Sequence, residues 1–189
     1  VKGERWHSHS MFLPSDTPII NSEWITMGQF HNIDYHKPPV NFDLKNNHFE
    51  LVTRFHCIHP KKFNKTCYSN ENSEAIKKII DTSKLFGQWN DFIVNANWTS
   101  DMKKGFFKLW VNGELVYHFV GRTVAPDDQL TVQFGIYRGR AISSGDANHV
   151  IFYDEIRSAK SCKKMKLSQL GYSCKDLENQ KINKIYRLQ

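Results

Sequence analysis

The amino-acid sequence predicts an all-β fold, a single-domain β-sandwich or jelly roll. Most of the chain consists of short segments rich in β-branched and aromatic residues, separated by turn residues at fairly regular spacing, a pattern typical of these folds. One turn carries the Asn-Gly pair that most strongly signals a hairpin, and helical periodicity is rare. The length of 189 residues and the hydrophobic content of 40% suit one buried core and are short for two domains.

The predicted strands begin near the N-terminus. Residues Trp6–Leu13 alternate between two sets of side chains, as in an antiparallel strand, and Pro14 ends the segment because proline has no N–H for a ladder. The second predicted strand is Glu23–Asn32, and a loop containing Pro38-Pro39 follows it. The third and fourth predicted strands are His48–His56 and Asp91–Trp98.

A hairpin is predicted around Asn112-Gly113, which is flanked by the strand-like segments Phe106–Val111 and Glu114–Val120. A type I′ turn needs positive φ at both central positions, and Asn and Gly tolerate it best. The last two predicted strands are Leu130–Arg138 and His149–Ile156.

Helical signals are confined to two places. Ser73–Ser83 predicts a short helix with Ser73 as its N-cap, or else a loop that crosses the sandwich edge. The segment after Cys162 is polar, rich in lysine and weakly helical. We therefore expect a β-domain at 1–160 and a basic tail at 161–189 that packs on it or extends from it.

The charge balance favours a polyanionic partner. Lys and Arg number 26 against 19 Asp and Glu, a net charge of +7, which suits an acidic polysaccharide, a nucleic acid or a membrane surface. Part of the excess lies in the tail, where a solvated helix face is the plain alternative. The sequence has no helix-turn-helix pattern, RNP-like motif or zinc-finger spacing, which weakens the nucleic-acid alternative. It also has no apolar stretch long enough to span a bilayer.

The four cysteines fall into two local pairs, and each pair closes a short loop. Two disulfides are the leading interpretation, although zinc binding and free thiols stay open because the nearby His56 and His59 are possible ligands. The expected pairs are Cys57–Cys67 and Cys162–Cys174.

Two sequons fit an exported glycoprotein, one at Asn64 and one at Asn97. The sequence starts at Val1 without a charged and apolar leader, so we expect that a signal peptide or an upstream segment has been removed or left out. We expect a secreted or extracellular protein.

Two distant strands each place reactive side chains on one face. Successive side chains alternate in a strand, so Gln29 and His31 project together, as do Gln133, Gly135 and Tyr137. An amide that faces a carboxylate, an imidazole that takes a proton and a phenol that moves one are the groups needed for β-elimination from a uronic acid.

Four segments carry a resemblance to the concanavalin-like polysaccharide lyases, particularly the heparin lyase I and glucuronan lyase group, and more distantly to jelly-roll alginate lyases. The resemblance implies a concanavalin A-like jelly roll of two curved antiparallel sheets whose concave face holds an extended sugar chain. The Gln-x-His and Gly-x-Tyr pieces are its specific part. The segments are 6–14, 24–31 with Pro38-Pro39, 89–116, and 133–138 followed by 152–157.

By this resemblance the catalytic set is Gln29, His31 and Tyr137. The amide of Gln29 helps to neutralise the uronate carboxylate, which stabilises the enolate-like intermediate. His31 or Tyr137 removes the C5 proton, and Tyr137 protonates the departing O4. The product carries a double bond between C4 and C5.

The chain also departs from the family pattern. Gln133 stands where relatives often have lysine, and Phe30 stands where they have Trp or Ile, so the preferred substrate charge is open. Many relatives use an arginine against the carboxylate, and the candidates in this chain are Arg5, Arg54 and Arg138. A tryptophan can stack on a sugar ring. The expected substrate-binding residues are Arg5, Arg54, Arg138, Arg140, Gln133 and Trp110.

Two groups of residues are candidate metal ligands. His7 and His9 share a strand face at a spacing that suits a metal, but no third ligand is in view. Asp127-Asp128 and Asp146 suit calcium, which some relatives contain, or simply loop turns and caps. We expect no required cofactor, with calcium the open alternative.

The sequence as a whole predicts a secreted, monomeric polysaccharide lyase that acts on a uronate-containing polymer, without a nucleic-acid partner or a membrane span. A non-catalytic carbohydrate-binding module using the same groove is the first alternative. A structural or surface-assembly domain that kept the fold is the second, because fold does not fix function.

Overall fold

The computed structural model describes residues 1–18, 24–33, 37–45, 48–58, 75–126, 128–138 and 148–188. Within these ranges the chain forms two β-sheets, of six and five strands. The strands are β1 (Gly3–Phe12), β2 (Ile25–Asn32), β3 (Val40–Lys45), β4 (His48–Thr53), β5 (Ile76–Asp81), β6 (Trp89–Trp98), β7 (Phe106–Val111), β8 (Glu114–Val120), β9 (Leu130–Arg138), β10 (Phe152–Ala159) and β11 (Tyr186–Arg187).

The six-stranded sheet has the order β10-β1-β6-β7-β8-β11, and the five-stranded sheet has the order β5-β4-β3-β2-β9. Neighbours pair antiparallel, except that β11 runs parallel to β8. Strand β9 follows a long excursion through the other sheet before it pairs with β2. This late pairing unites the two strands that carry the predicted catalytic residues.

The core lies between the two sheets and follows the alternation of each strand. On β3 the apolar side chains Val40, Phe42 and Leu44 point into it. His7 and His9 of β1 also point inward, and both are buried. His9 makes ring contacts with aromatic side chains of both sheets, so it packs as a core residue.

The C-terminal segment packs on the outer face of the six-stranded sheet through two short helices, α1 (Cys162–Met165) and α2 (Cys174–Asn179). They cover Trp6 and Trp110, whose rings stack 5.5 Å apart. The predicted disulfide Cys162–Cys174 is confirmed. Cys57 is also disulfide-bonded, and its expected partner Cys67 lies outside the described residues. No helix of the described ranges is long and apolar enough to cross a bilayer.

The all-β prediction and the Asn112-Gly113 hairpin are confirmed, and both turn residues have positive φ, of 50° and 82°. Two strands of the five-stranded sheet were not predicted. Residues 37–39 form no strand, as expected for the Pro38-Pro39 loop, but the chain continues directly as β3, for which no strand was predicted. The segment predicted as a helix or edge-crossing loop forms β5 from Ile76 onward, because pairing with β4 outweighs its helix-like isoleucine spacing. Its proposed N-cap Ser73 lies outside the described residues.

Candidate active site

The outer face of β2 and β9 carries the polar residues that the sequence singled out. Gln29 lies directly opposite Gln133 in the ladder, and His31 lies opposite Thr131. Their neighbour Phe30 points the other way, into the core. Because side chains alternate along a strand, Gln29, His31 and Gln133 all face away from the core.

The two glutamines are joined side chain to side chain. Nε2 of Gln29 donates a hydrogen bond of 2.7 Å to Oε1 of Gln133, and Nε2 of Gln133 donates one of 3.3 Å to Oγ1 of Thr131. Each primary amide carries two N–H groups, so each keeps a further donor beyond these bonds. The pair is therefore suited to receive a carboxylate without contributing net charge.

The position of His31 defines its tautomer. Its Nδ1 lies 2.6 Å from the carbonyl oxygen of Asn32, and since a carbonyl only accepts, Nδ1 carries the hydrogen of the neutral ring. The lone pair then resides on Nε2. A half-buried imidazole held in this form can take up a proton at Nε2.

A β-bulge places Tyr137 on the same face. Gly28 pairs with Phe134 and Thr26 pairs with Tyr137, so two residues of β9 stand opposite one residue of β2. Gly135 within the bulge has φ of +139°, a conformation that favours glycine. Thr26 faces outward on β2, and its partner Tyr137 is 61% exposed.

Tyr153 of β10 satisfies backbone groups that the bulge frees. Its hydroxyl donates to the carbonyl of Met27 and accepts a hydrogen bond of 3.2 Å from the N–H of Gly135. Burial raises the pKa of Tyr153 to about 12, so the hydroxyl keeps its proton for this role. A residue of the opposite sheet thus fixes the backbone two residues before Tyr137.

These elements enclose a cleft of about 200 Å³. His31 stands outside the cleft lining, about five rungs of the ladder from Tyr137, a spacing on the order of 16 Å along the strand, with the glutamine pair between them. The cleft residues are Thr26, Gly28, Gln29, Gln133, Phe134, Gly135, Ile136 and Tyr137.

A buried polar network adjoins the cleft, and the sequence analysis overlooked most of it. Oγ1 of Thr26 donates a hydrogen bond of 2.6 Å to Oδ1 of Asp43 and accepts one of 3.4 Å from Nδ2 of Asn41. Burial raises the pKa of Asp43 to about 6, against the opposing effects of Thr26 and of the Arg54 guanidinium. The alternation of Asn41, Asp43 and Lys45 with apolar residues was the signal that could have placed these side chains on the outer face of a strand.

Arg54 is the predicted arginine that lies nearest this network. Its Nη1 donates to the carbonyl of Pro38 (2.8 Å) and to Oδ1 of Asn41 (3.3 Å). Asn41 is itself the ladder partner of Gln29. Arg54 is therefore two strands away from Gln29 on the same sheet, where its charge acts on Asp43.

The other predicted arginines are placed differently. Arg5 lies on β1 of the six-stranded sheet and donates to the carbonyl of Glu4. Arg138 pairs with the core residue Ile25 and donates to Nδ1 of His149 at 2.6 Å, on the side of β9 opposite Tyr137. Arg140 lies outside the described residues.

The expectation that Trp110 contacts sugar is wrong for this fold. Its side chain is 1% exposed beneath the C-terminal helices, because alternation on β7 turns it to the covered outer face. Trp24 is instead 36% exposed, and its ring lies 5.5 Å from that of Tyr137. These two rings form an open aromatic surface at the cleft.

The expected modification and metal sites are only partly described. Asn97 lies on β6, with Nδ2 donating to the carbonyl of Lys104, whereas Asn64 is outside the described residues. No group of three His, Cys, Asp or Glu side chains in the described chain is arranged to hold a metal ion. Asp127 and Asp146, which were considered for calcium, are also outside it.

The family model described as polysaccharide lyase matches residues 1–157. Among solved structures, the chain is similar to endo-β-1,4-glucuronan lyase from the fungus Trichoderma reesei, with TM-score 0.64 and 16% identity over 84% of this chain and 69% of that one. It is similar to alginate lyase A1-II′, with TM-score 0.56 and 12% identity over 85% of this chain and 63% of that one. The chain is also similar to an alginate lyase from Pseudomonas aeruginosa, with TM-score 0.55 and 12% identity over 84% of this chain and 65% of that one. No curated protein matches the chain.

Proposed function

This chain belongs to the polysaccharide lyase family, and from that premise we propose that it cleaves a uronate-containing acidic polysaccharide by β-elimination. The observation that carries the proposal is that Gln29, Gln133 and Tyr137 line one cleft, with His31 on the same face. These residues supply the carboxylate contact, the acid and the base that the reaction requires.

The first role is neutralisation of the substrate carboxylate. In the proposal the amide N–H groups of Gln29 and Gln133 donate to the carboxylate oxygens, on which charge grows as the C5 proton leaves. Donors aimed at developing charge each contribute roughly 10²- to 10³-fold in kcat. Arg54 adds positive charge from the neighbouring strands.

The second role is proton removal from C5. Nε2 of His31 takes the C5 proton, because the Nδ1–H is held by the Asn32 carbonyl. The electron pair of the C5–H bond then forms the C4–C5 double bond as the C4–O4 bond breaks.

The third role is protonation of the leaving group. Tyr137 gives its phenolic proton to O4, which departs as a hydroxyl at the new reducing end. The amide pair stands between His31 and Tyr137 in the ladder. Since the backbones of His31 and Tyr137 are on the order of 16 Å apart along the strand, the proposal requires both side chains to lean over the amide pair to reach C5 and O4 of the same uronate. Side chains held too far apart to reach one sugar would favour the carbohydrate-binding module described below.

The decisive assay follows the ultraviolet absorbance of the unsaturated uronate during incubation with glucuronan, heparin, heparan sulfate, alginate or hyaluronan, each with and without calcium. We expect a rise with one class of polymer. Tyr137→Phe lowers kcat by about 10²- to 10⁴-fold, while Tyr172→Phe, whose hydroxyl contacts Asp91 far from the cleft, retains the rate. Equal rates for both variants would contradict the assigned acid.

Deuterium exchange separates the base from the acid. In D₂O, Tyr137→Phe should still exchange the C5 hydrogen of bound polymer, as read by proton NMR, because His31 remains to remove it. His31→Ala should abolish both exchange and elimination. Exchange that persists in His31→Ala would assign the base to Tyr137 instead.

The second candidate function is a carbohydrate-binding module without catalysis. The exposed ring pair of Trp24 and Tyr137 favours it, because aromatic faces pack on the apolar faces of sugars. Tight binding of one polymer without any rise in absorbance would select this alternative.

We further propose that the protein is secreted and monomeric. The Cys162–Cys174 disulfide supports an oxidising compartment. Light scattering of the purified protein tests the monomer, and a mass that corresponds to a dimer would refute it.

A further inference from the structure

A basic surface lies on the outer face of the six-stranded sheet, across the sandwich from the cleft. Lys108 of β7 and His118 of β8 stand directly opposite each other in the ladder. The flanking residues Phe107 and Tyr117 point into the core. Alternation therefore directs both Lys108 and His118 outward, on the part of the sheet next to that covered by the C-terminal helices.

The turn before β7 adds two more lysines and is firmly held. Backbone N–H groups of Lys103 and Gly105 donate to the side chain and carbonyl of Asp101, at 2.8 and 3.0 Å. Gly105 packs so closely on Gly121 that a Cβ added there would lie 2.0 Å from the Gly121 carbonyl oxygen. The turn thus presents Lys103 and Lys104 in a fixed place.

Together these residues line a depression of about 230 Å³, and its lining includes three lysines and no acidic residue. Two acids border the depression. Asp101 is 3.7 Å from Nζ of Lys104, and both side chains are exposed, so the pair neutralises little. Oε1 of Glu4 accepts a hydrogen bond of 3.1 Å from Nδ2 of Asn95, the ladder partner of Lys108. The lining residues are Lys103, Lys104, Gly105, Phe106, Lys108, His118 and Val120.

A further cation borders the depression. Arg187 of β11 pairs with Val120 of β8, next to His118 on the same strand. Burial, then Lys108 and Arg187, lower the pKa of His118 to about 4. At neutral pH the imidazole is therefore neutral and offers an N–H, while the positive charge resides on the lysines and Arg187.

We propose that this basic depression is a second binding site for acidic polysaccharide, which takes a carboxylate or sulfate of a segment outside the cleft. The ammonium groups and Arg187 pair with the anion, and the half-buried ring of Phe106 contacts the apolar face of the sugar. The identity of the polymer rests on the proposed function. Because the two sites are on opposite faces of the sandwich, they bind different segments and hold the protein on a long chain.

The test compares two triple variants that each remove three positive charges. Lys103→Gln/Lys104→Gln/Lys108→Gln alters the depression, and the matched control Lys160→Gln/Lys163→Gln/Lys164→Gln alters exposed lysines at the start of the tail. Both are made in the Tyr137→Phe background and are tested in the form in which the protein is secreted, so that any glycan on Asn97, the ladder partner of Phe106, is present. Binding of fluorescent heparin, glucuronan and single-stranded DNA of matched charge is titrated at several salt concentrations, after unfolding curves show that each variant is folded.

The depression variant should bind at least one polymer about tenfold more weakly at low salt and with a shallower salt dependence, as expected when ionic contacts are lost. The tail control should change affinity less than twofold. Equal losses in both variants, no loss in the first, or no binding by the parent would overturn the proposal. A loss confined to single-stranded DNA of matched charge would assign the depression to nucleic acid and overturn it too.

Turnover distinguishes this proposal from the proposed function. A parent with wild-type Tyr137 that binds through the lysines but never raises the absorbance refutes the lyase and leaves the second site standing. Normal turnover with unchanged affinity of the depression variant refutes the second site alone.

Discussion

Lowering the pH from 7 to 5 is expected to destabilise the fold through two histidines buried between the sheets. His9 is 7% exposed, and its ring stacks on Phe92 at 4.9 Å. Burial, followed by the neighbouring His7, lowers the pKa of His9 to about 3. Burial, followed by the amino terminus and Arg5, lowers the pKa of His7 to about 4.

The sign follows from which state binds the proton. Both pKa values lie below 6.5, so the unfolded chain takes up protons first, and stability present above pH 6.5 is lost as the pH falls. At pH 5 each histidine costs about 2 kcal/mol, or about 4 kcal/mol for the two. Asp43 has the opposite effect on stability, because its pKa is raised to about 6 in the folded protein. The folded state therefore takes up this proton first, which stabilises the fold by about 1 kcal/mol between pH 7 and 5.

The net loss from these three groups, about 3 kcal/mol, is a large share of a domain stability of about 5–15 kcal/mol. The lowered pKa of His118 adds to the loss, but less than a buried histidine does, because its side chain is partly exposed. Urea unfolding followed by tryptophan fluorescence at both pH values measures the loss. His9→Phe keeps the aromatic packing and removes one titrating group, so its loss should be about 2 kcal/mol smaller than that of the wild type. A wild-type protein equally stable at pH 5 and 7, or a variant with the same loss as wild type, would rule out this role of the buried histidines.

Three further substitutions test the cleft and its support. Tyr153→Phe removes the hydroxyl at the bulge and should lower the free energy of unfolding in urea by about 1–3 kcal/mol. It should also lower kcat more than it changes KM. Kinetics equal to those of the wild type would show that the bulge keeps its conformation without this hydroxyl. Trp24→Ala should raise KM for polymer several-fold with little change in kcat, unless the ring takes no part in binding. Asp43→Asn should raise the unfolding free energy at pH 8 by up to about 3 kcal/mol, because the wild type then buries an ionised carboxylate. A drop there would mean that the carboxylate stabilises the fold through Thr26 and Arg54 by more than its burial costs.

Features that depend on neighbours along the chain could be predicted from the amino-acid sequence. Alternating polarity specified most strands, and Asn112-Gly113 specified its hairpin, because a type I′ turn depends only on local φ values. The two-residue spacing of Gln29 and His31 put them on one face, because side chains alternate along a strand. Cys162 and Cys174 are twelve residues apart, close enough for their pairing to be read locally.

The contacts between distant segments could not be predicted in this way and became clear from the folded chain. The isoleucines of β5 fit a helix until pairing with β4 is known, and one tryptophan looks like another until packing buries Trp110 and leaves Trp24 exposed. The network of Thr26 and Asp43 and the hydroxyl of Tyr153 at the bulge join segments that are distant in the chain. Their partners are set by strand order and sheet packing, which sum contributions from the whole chain and leave no local pattern to read.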